Sequence, residues 1–296
     1  MYDLIIIGMG PAGMNAALYA KRSGMNVLLL EKNIPGGLIN ITNKVENYLG
    51  VGIVTGAELV DKMVNHIKEF NIEQKREEVI SIEDLIDKKV IKTNKSIYET
   101  KAVLIASGRM PKKGEGDIFS KLEGRGVSYC AVCDAPFYKN KVVGIIGGGN
   151  SAFEEGLYLS DFASKVYFII RSNIKADKIF IDEANKKENV EILLNSTVTD
   201  IKTKNDLLSG VIINETEELK LDGLFLYIGY KPNTNYIENL GLTDEKGYII
   251  VDENMETKIK GIYAAGDIVK KNVYQIINAA SEGAIAAINS KKYSKD

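Results

Sequence analysis

Residues 3–13 read Asp3-Leu-Ile-Ile-Ile-Gly8-Met-Gly10-Pro-Ala-Gly13, a short apolar run that leads directly into closely spaced glycines. The run predicts a buried strand, and residues 11–23 have the pattern of a helix. Gly8, Gly10 and Gly13 fit G-x-G-x-x-G, in which the first glycine allows a tight turn, the second lets backbone approach a pyrophosphate and the third lets the helix pack on the strand. Because the free N–H groups and dipole of a helix N-terminus favour anions, the stretch predicts dinucleotide binding.

An acidic residue stands at the end of the next predicted strand. Residues 26–31 form that strand and end in Glu31, 18 residues after Gly13. A carboxylate at this position accepts hydrogen bonds from ribose hydroxyls. The glycines alone could mark a purely structural strand–helix turn. Strand, helix and terminal acid together favour a dinucleotide site.

The same unit recurs more than a hundred residues later. Residues 141–147 and 165–170 predict strands, and between them Gly147-Gly-Gly149-Asn-Ser-Ala152 fits G-x-G-x-x-A and opens a predicted helix at residues 150–162. The second strand is followed by Arg171 and does not end in an acid. An acid at this point favours the free 2′-hydroxyl of NAD, whereas a cation suits the 2′-phosphate of NADP. Two interpretations stay open: a nucleotide site, or a domain that keeps the fold of such a site without binding.

Strand and helix patterns alternate along the chain, which predicts a parallel α/β architecture. The chain has 296 residues, and since a domain has about 150, the two glycine turns predict two Rossmann-like dinucleotide-binding domains. Gly, Pro and charged residues mark candidate crossovers at residues 109–116 and 241–247. If both are hinges, residues 1–111 with 241–296 form the first domain, and residues 112–240 form a second domain inserted into the first.

Composition excludes several classes of protein. Hydrophobic residues make up 45% and charged residues 26% of the chain, and the net charge is −2, so no whole-protein field attracts nucleic acid or anionic lipid. The apolar runs are far shorter than the roughly 20 residues that cross a bilayer. The N-terminus lacks the basic region that opens a signal peptide, so we expect a cytoplasmic protein with no membrane partner.

The two cysteines, Cys130 and Cys133, form a C-x-x-C pair, and His66 is the single histidine. These counts argue against a Ser–His–Asp hydrolase, a His-rich metal site and a disulfide scaffold. A zinc half-site or a pair of buried apolar thiols is the alternative to redox chemistry, but zinc would need two more Cys or His ligands, so we expect no metal. Thiolates are the species that attack disulfides. Asp134 lies beside Cys133 and is the best available base for the proton that each thiolate gains or loses.

Taken together, these residues resemble the low-molecular-weight thioredoxin reductase family over essentially the whole chain. The segment Gly126-Val-Ser-Tyr-Cys130-Ala-Val-Cys133-Asp134 resembles that family's redox-active centre, within the inserted domain. Four further segments resemble family motifs: residues 45–48, 227–233, 261–267 and 274–276. The resemblance implies a homodimeric flavoprotein oxidoreductase that passes two electrons from FAD to the C-x-x-C disulfide and on to thioredoxin.

The resemblance also implies roles for particular residues. Cys133 would face the flavin, Cys130 would be the interchange thiol that attacks the thioredoxin disulfide, and Asp134 would be the acid/base. Together with the glycine pattern, it implies the FAD residues Gly8, Gly10, Pro11, Ala12, Gly13, Glu31, Gly37, Asn47, Gly266, Asp267, Tyr274, Gln275 and Ile276. The possible nicotinamide-nucleotide residues are Gly147, Gly149, Ala152, Arg171 and Lys175.

One departure from the family concerns the electron donor. The NADPH-dependent members carry His-Arg-Arg-x-x-x-Arg after the second strand of the inserted domain, whereas this chain reads Ile170-Arg171-Ser172 and has Lys175 in place of the last Arg. A lost charge-assisted phosphate contact is worth about 1.5–3 kcal/mol, which weakens NADPH binding about ten- to a hundredfold. Relatives that lack the basic run are reduced by ferredoxin directly at the flavin. The sequence therefore favours ferredoxin slightly over NADPH as the donor.

Two other functions stay open at this point. A flavin dithiol oxidase of the same fold would run the disulfide chemistry backward with oxygen as acceptor, and it needs FAD and C-x-x-C but no nicotinamide site. Production of hydrogen peroxide from a small dithiol would favour it. The third alternative is a non-catalytic flavin-binding or redox-sensing module, against which the intact Cys130, Cys133 and Asp134 argue.

Overall fold

The computed structural model describes residues 1–114 and 117–294. Contacts divide the chain into two compact units, one comprising Met1–Met110 with Lys231–Asp296 and the other comprising Pro111–Tyr230. The strands are β1 (Tyr2–Ile7), β2 (Val27–Glu31), β3 (Glu73–Arg76), β4 (Val79–Asp84), β5 (Lys89–Thr93), β6 (Ile97–Ile105), β7 (Arg109–Pro111), β8 (Val127–Ser128), β9 (Val142–Ile146), β10 (Lys165–Ile170), β11 (Val190–Leu194), β12 (Val198–Lys204), β13 (Leu207–Ile213), β14 (Glu217–Lys220), β15 (Gly223–Leu226), β16 (Tyr230–Pro232) and β17 (Ile262–Ala264). The α-helices are α1 (Pro11–Arg22), α2 (Gly56–Lys68), α3 (Asp117–Lys121), α4 (Ala131–Asp134), α5 (Asn150–Ser160), α6 (Lys178–Ala184) and α7 (Ile276–Ser290). Short 3₁₀ turns lie at Gly37–Ile41, Ala135–Tyr138, Asn235–Leu240 and Lys291–Tyr293.

The first unit is built on a seven-stranded sheet in the order β3-β2-β1-β6-β5-β4, with β17 also paired to β6. Strand β1 runs parallel to β2 and β6, where Leu4 lies opposite Val27 on one side and Ala102 on the other. Strands β4, β5 and β6 are antiparallel. Because both faces of the central parallel strands are covered, their side chains form continuous apolar runs and do not alternate with polar ones.

The second unit contains a five-stranded parallel sheet in the order β11-β10-β9-β15-β8 and a three-stranded antiparallel sheet in the order β12-β13-β14. Each unit thus holds one strand–glycine turn–helix–strand element, β1-α1-β2 in the first and β9-α5-β10 in the second. The predicted fold class, an α/β protein with two Rossmann-like dinucleotide-binding domains of which the second is inserted into the first, is confirmed.

Small residues let the helix after the first glycine turn pack closely on the C-terminal helix. Ala16, Ala17 and Ala20 of α1 are fully buried. On α7, a Cβ at Gly283 would lie 2.1 Å from the carbonyl oxygen of Ala12, so only glycine fits at this crossing. The close contact between α1 and α7 places the C-terminal segment of the chain beside the first glycine turn.

A buried carboxylate ties the C-terminal end of the chain to the sheet of the first unit. Glu256 is 3% exposed and accepts hydrogen bonds from the Tyr293 hydroxyl (2.6 Å), the Gly261 N–H (3.0 Å) and the Lys292 ammonium (2.9 Å). Burial raises the pKa of Glu256, but these three hydrogen bonds outweigh burial and lower the pKa to about 2. Because the ionised form is the one stabilised, the cluster stabilises the fold above the ordinary pKa of glutamate and loses that contribution as the pH falls towards 2.

The limits of the second unit differ from the predicted inserted domain mainly at its C-terminal end. The unit spans Pro111–Tyr230, whereas the predicted domain spans residues 112–240. The last ten residues of that prediction pack on the first unit, where the Asn239 side-chain amide donates to the Ile82 carbonyl at 2.9 Å. Residues 115–116 of the first predicted crossover lie outside the described residues. The nucleotide-binding role of each domain stays a prediction.

Candidate active site

The glycines of the first turn differ in whether the surrounding protein leaves room for a side chain. Gly8 has φ +106°, and a Cβ there would lie 2.4 Å from the Ala106 carbonyl oxygen. A Cβ at Gly13 would lie 1.9 Å from the Gly8 carbonyl oxygen, so α1 can rest on β1 only with glycine at this position. Gly10 is the N-cap of α1 and makes no side-chain cap, and a Cβ there would meet no protein atom within 4 Å. The helix therefore presents its free N–H groups to open space, as an anion site requires.

Glu31 lies beside this turn at the end of β2. Its carboxylate accepts hydrogen bonds from the Met9 N–H (2.8 Å) and the Asn33 N–H (2.9 Å), which hold the side chain next to the glycines. A cavity of about 300 Å³ is lined by Lys32, Arg76, Glu77 and Asn94, among others, and not by Glu31 or the glycines of the turn. The turn and the acid follow the carboxyl ends of the parallel strands β1 and β2, the edge where α/β sheets bind nucleotides.

The remaining predicted FAD residues come from distant parts of the chain and meet near the same turn. A Cβ at Gly37 would lie 3.8 Å from the Gly10 Cα, and a Cβ at Gly266 would lie 2.9 Å from the Ala12 Cβ. The Asn47 side-chain amide donates to the Gln275 side-chain oxygen at 3.0 Å. Gln275 is in turn the N-cap of α7, whose first residue is Ile276. The structure thus brings together residues from the segments at 8–13, 37, 47, 266 and 275–276.

Asp267 and Tyr274 are joined by an arginine that the sequence analysis did not assign to the site. Arg109 donates to the Asp267 carboxylate through Nη2 (2.7 Å) and Nε (3.1 Å), and its guanidinium lies 3.9 Å from the centre of the Tyr274 ring. Both members of the ion pair are largely buried, with side-chain exposures of 15% and 22%. The position of Arg109 in the sequence could have indicated its role. It follows shortly after β6, at the carboxyl end of a parallel strand, where α/β proteins place functional side chains.

The two cysteines form a disulfide across the turn that opens α4, with their Cα atoms 5.4 Å apart. Cys130 is half-buried and is the N-cap of α4, and its Sγ accepts the Cys133 N–H at 3.1 Å. Cys133 is exposed, and Asp134 next to it is half-buried. The Cys130 N–H donates to the Ser128 hydroxyl at 3.1 Å, which fixes the entry to the turn.

Two side chains beneath this turn were also missed by the sequence analysis. The Tyr227 hydroxyl accepts the Ala131 N–H at 2.9 Å, and the Glu155 carboxyl, on α5, lies near the Val132 N–H, which lowers the pKa of Glu155. Burial and the charge of Glu154 raise the pKa of Glu155 to about 8. The sequence carries no signal for Glu155, because its burial on α5 is a property of the packing.

The second glycine turn repeats the geometry of the first. Gly147 has φ +149°, and a Cβ there would lie 2.5 Å from the Tyr227 carbonyl oxygen. Gly149 is the N-cap of α5 without a side-chain cap, and a Cβ there would meet no protein atom within 4 Å. Ala152 is buried at 1% exposure and packs α5 against the sheet.

The charged residues near the second turn are mixed in sign. Arg171 and Lys175 are both exposed, and the Lys175 N–H donates to the Gly148 carbonyl at 2.6 Å, so this loop lies against the turn. Asn150, the first residue of α5, donates its side-chain amide to the Asp177 carboxylate at 2.8 Å. A carboxylate thus stands near the helix N-terminus together with the two cations.

The structure shows neither a metal site nor a membrane-spanning helix among the residues that it describes. No group of three or more His, Cys, Asp or Glu side chains within residues 1–114 and 117–294 could hold a metal ion. His66 is exposed on α2 with its ring 5.8 Å from that of Phe70. Among the same residues, no helix has the length and apolar character that a membrane span requires.

Two strand–glycine turn–helix units and a C-x-x-C disulfide are the architecture of a disulfide oxidoreductase with two Rossmann-like domains. A family model described as pyridine nucleotide-disulphide oxidoreductase matches residues 2–283. The thioredoxin reductase of Bacillus subtilis (strain 168) is 44% identical over 299 residues, which cover 99% of this chain and 95% of that protein. The chain therefore belongs to the pyridine nucleotide-disulphide oxidoreductases and, within them, to the low-molecular-weight thioredoxin reductase family, as its resemblance predicted.

Solved structures agree with this assignment. Thioredoxin reductase of Lactococcus lactis (FR conformation) superposes with a TM-score of 0.95 at 39% identity and covers 99% of both chains. A ferredoxin-flavin thioredoxin reductase from Clostridium acetobutylicum superposes with a TM-score of 0.56 at 34% identity, again over 99% of both chains. The chain is thus similar to thioredoxin reductases that are named for ferredoxin and to others that are not.

Proposed function

We propose that the chain is a flavin-dependent thioredoxin-disulfide reductase, which passes two electrons from FAD to the Cys130–Cys133 disulfide and on to a disulfide in thioredoxin. The observation that supports this most strongly is the disulfide at the first turn of α4, where Cys130 Sγ accepts the Cys133 N–H. A thiolate accepts such a hydrogen bond more strongly than a neutral sulfur does. The N–H therefore stabilises a Cys130 thiolate after reduction, which suits Cys130 to the role of nucleophile.

The exchange balances in three steps. Two electrons and two protons convert the Cys130–Cys133 bond into two thiols. The Cys130 thiolate then attacks one sulfur of the thioredoxin disulfide, so that a mixed disulfide forms and the other thioredoxin sulfur leaves as a thiolate. The Cys133 thiolate attacks Cys130 in the mixed disulfide, which releases reduced thioredoxin and re-forms the original bond. Asp134, beside Cys133, accepts and returns the proton that the thiols exchange.

The first unit offers residues that fit FAD. When bound, FAD supplies the two-electron exchange with the disulfide. The open N-terminus of α1 at Gly10 would hold the pyrophosphate, and Glu31 beside the turn would accept hydrogen bonds from a ribose. The Arg109–Asp267 pair next to Tyr274 is placed to orient the remainder of the group.

Reduced ferredoxin is the donor that the altered basic segment favours. Of the three arginines that the NADPH-dependent pattern places after β10, this chain keeps Arg171, replaces one with Ser172 and replaces one with Lys175. The Asp177 carboxylate adds negative charge near the N-terminus of α5. Both features weaken the attraction for a 2′-phosphate, whereas a one-electron donor that acts at the flavin does not need this site.

NADPH is the second candidate, because the second glycine turn still has the form of a pyrophosphate site. Gly149 leaves the N-terminus of α5 open, and no side chain caps it. Arg171 and Lys175 remain two cations on a loop that lies against the turn. This geometry is the specific observation in favour of a nicotinamide nucleotide.

An anaerobic titration of the purified protein, followed by flavin absorbance, separates the two donors. Bleaching at stoichiometric NADPH would identify a conventional NADPH-dependent enzyme. Yellow colour that persists with NADPH and NADH but bleaches with reduced ferredoxin would identify the ferredoxin route. Hydrogen peroxide formed from a small dithiol, without thioredoxin reduction by any donor, would replace the proposed reductase with a dithiol oxidase.

The roles of the two cysteines are tested by paired substitutions. Cys130→Ser abolishes thioredoxin reduction, because the attacking sulfur is gone. Cys133→Ser leaves Cys130 able to attack but unable to be released, so the variant accumulates a mixed disulfide with thioredoxin that intact-mass spectrometry detects. Thioredoxin reduction by Cys130→Ser, or a mixed disulfide formed by that variant, would contradict the assignment.

A homodimer and a cytoplasmic location stay predictions. Sedimentation of the purified holoprotein tests the dimer directly.

A further inference from the structure

The turn that carries the disulfide rests on two groups that the proposed steps do not use. The Ala131 N–H donates to the Tyr227 hydroxyl at 2.9 Å, and the Glu155 carboxyl lies near the Val132 N–H, which favours its ionised form. Both residues between the cysteines therefore have backbone N–H groups close to polar side chains from the interior of the second unit. Whatever changes the charge of those side chains acts on the turn through its backbone.

Among the described residues, the buried carboxyl of Glu155 lacks a hydrogen-bond partner for one of its two oxygens. Glu155 is 5% exposed, and its Oε2 atom has no hydrogen-bond partner within the described parts of the chain. An ionised carboxylate with an unpartnered buried oxygen is costly. Burial, together with the charge of Glu154, raises the pKa of Glu155 to about 8 against the lowering effect of the Val132 N–H. Glu155 is therefore neutral at pH 7 beneath the disulfide.

The surroundings of Glu155 include few groups that could neutralise its charge. On α6, which packs against α5, Lys178, Asp182 and Glu183 are exposed. Burial and the nearby Glu155 raise the pKa of Tyr227. The titratable groups that face this cluster are Glu154 on α5, Tyr227 and Tyr230 after β15, Asp134 on α4 and Tyr138 in the following 3₁₀ turn.

We propose that Glu155 is a positioning residue of the redox turn, whose buried carboxyl gains or loses a proton according to the charge on the Cys130–Cys133 pair. A thiolate above it opposes ionisation of Glu155, and an ionised Glu155 opposes the thiolate. Between the pKa values of Glu155 in the two redox forms, reduction therefore takes up an additional fraction of a proton from solvent, which forms the O–H bond of Glu155; a pKa one unit higher in the dithiol form gives about half a proton per disulfide. The inference rests on the proposed function only in treating the two cysteines as a pair that cycles.

The direction in which the ionisation of Glu155 changes the reduction of the disulfide follows from the linkage between proton binding and reduction. Below about pH 7, Glu155 is neutral in both redox forms and its charge does not enter the equilibrium. Above about pH 8, ionisation stabilises the disulfide form relative to the dithiol form, so the disulfide becomes harder to reduce than it would be with a neutral side chain. If the pKa of Glu155 is about one unit higher in the dithiol form, the effect is about tenfold.

The test is the thiol–disulfide equilibrium of the holoprotein in dithiothreitol buffers from pH 6.5 to 10, read by maleimide mass tagging. The comparison variant is Glu155→Gln, which keeps the shape and the acceptor for the Val132 N–H but cannot ionise. We expect the wild-type to Glu155→Gln ratio of reduction constants to stay level below pH 7 and to fall roughly tenfold between pH 7 and 10. Glu183→Gln, a change at an exposed acid of the same unit, tracks wild type throughout.

A ratio that is constant across the whole pH range would overturn the proposal, because a purely structural role shifts the equilibrium equally at every pH. If Glu155→Gln does not fold, Glu155→Met provides the comparison: its side chain has a similar length and cannot ionise, so the ratio of wild type to Glu155→Met should fall with pH in the same way, whereas a level ratio again overturns the idea. The assay uses neither thioredoxin nor an electron donor. A failure of the proposed thioredoxin reductase function would appear in turnover and leave this result unaffected.

Discussion

Replacing Gly10 with alanine separates the folding of the first glycine turn from its proposed binding of FAD. The new Cβ would meet no protein atom within 4 Å, and the backbone at Gly10 (φ −78°, ψ −177°) suits alanine. Restriction of the unfolded chain stabilises such a variant by about 0.4–1 kcal/mol, and alanine is a poorer N-cap than glycine by a similar amount. We expect the free energy of unfolding to stay within about 0.5 kcal/mol of wild type.

In contrast to stability, the binding of FAD should be clearly weaker in Gly10→Ala. The methyl group occupies the space through which a pyrophosphate reaches the backbone N–H groups of α1, so we expect FAD to bind at least tenfold more weakly, about 1.4 kcal/mol. Gly13→Ala is the matched control. Its Cβ would lie 1.9 Å from the Gly8 carbonyl oxygen, so α1 must move away from β1. Overpacking of this kind costs about 1–3 kcal/mol of stability.

Urea unfolding of the flavin-free protein measures the stability of each variant, and fluorescence titration with FAD measures its affinity for the cofactor. Gly10→Ala should keep its unfolding midpoint and lose FAD affinity, whereas Gly13→Ala should lose stability first. Wild-type FAD affinity in Gly10→Ala would refute the placement of the pyrophosphate at this turn. Wild-type stability in Gly13→Ala would refute the argument that helix and strand are in contact through a glycine.

Three further substitutions test other parts of the molecule. Arg109→Met removes both hydrogen bonds to Asp267, so the purified protein should carry less FAD per chain by absorbance, and Arg109→Lys should recover part of it. Glu256→Gln should lower the free energy of unfolding by roughly 2–3 kcal/mol at pH 7, where the carboxylate is ionised in both states, and the difference should shrink as the pH falls towards 2 in urea titrations; a difference independent of pH would contradict the assignment. Gly149→Ala adds a Cβ to open space, so it should weaken bleaching by NADPH at least tenfold if NADPH is the donor. Reduced ferredoxin should bleach that variant and wild type alike.

Sequence alone predicts the two glycine turns well because Gly8, Gly13 and Gly147 each answer a steric demand of the strand–helix turn. Positive φ at Gly8 and Gly147, and the contact between Gly13 and the Gly8 carbonyl, are set within a few residues of each pattern. The alternation of strands and helices then determines the parallel sheets. The C-x-x-C spacing is local in the same sense, and the disulfide is present in the structure.

The sequence alone could not predict which distant segments contact each other. Arg109 and Asp267 are 158 positions apart, and a single arginine after a strand does not indicate which carboxylate it meets. Glu155 stands next to Glu154, so the pair has the appearance of an ordinary charged helix surface. Only the packing of α4 on α5 shows that one of the two acids lies beneath the redox turn.

Because of this packing, only one glycine of the second turn is evidence about the electron donor. Gly147 cannot be replaced without a clash against the Tyr227 carbonyl, and the hydroxyl of that tyrosine holds the turn between the cysteines. A chain that never binds a nicotinamide nucleotide would therefore still need glycine at 147 to keep its redox turn in place. Gly149 is different, because open space surrounds it and no contact within the protein requires glycine there. Of the glycines in the second pattern, Gly149 is the one whose presence supports a nucleotide site.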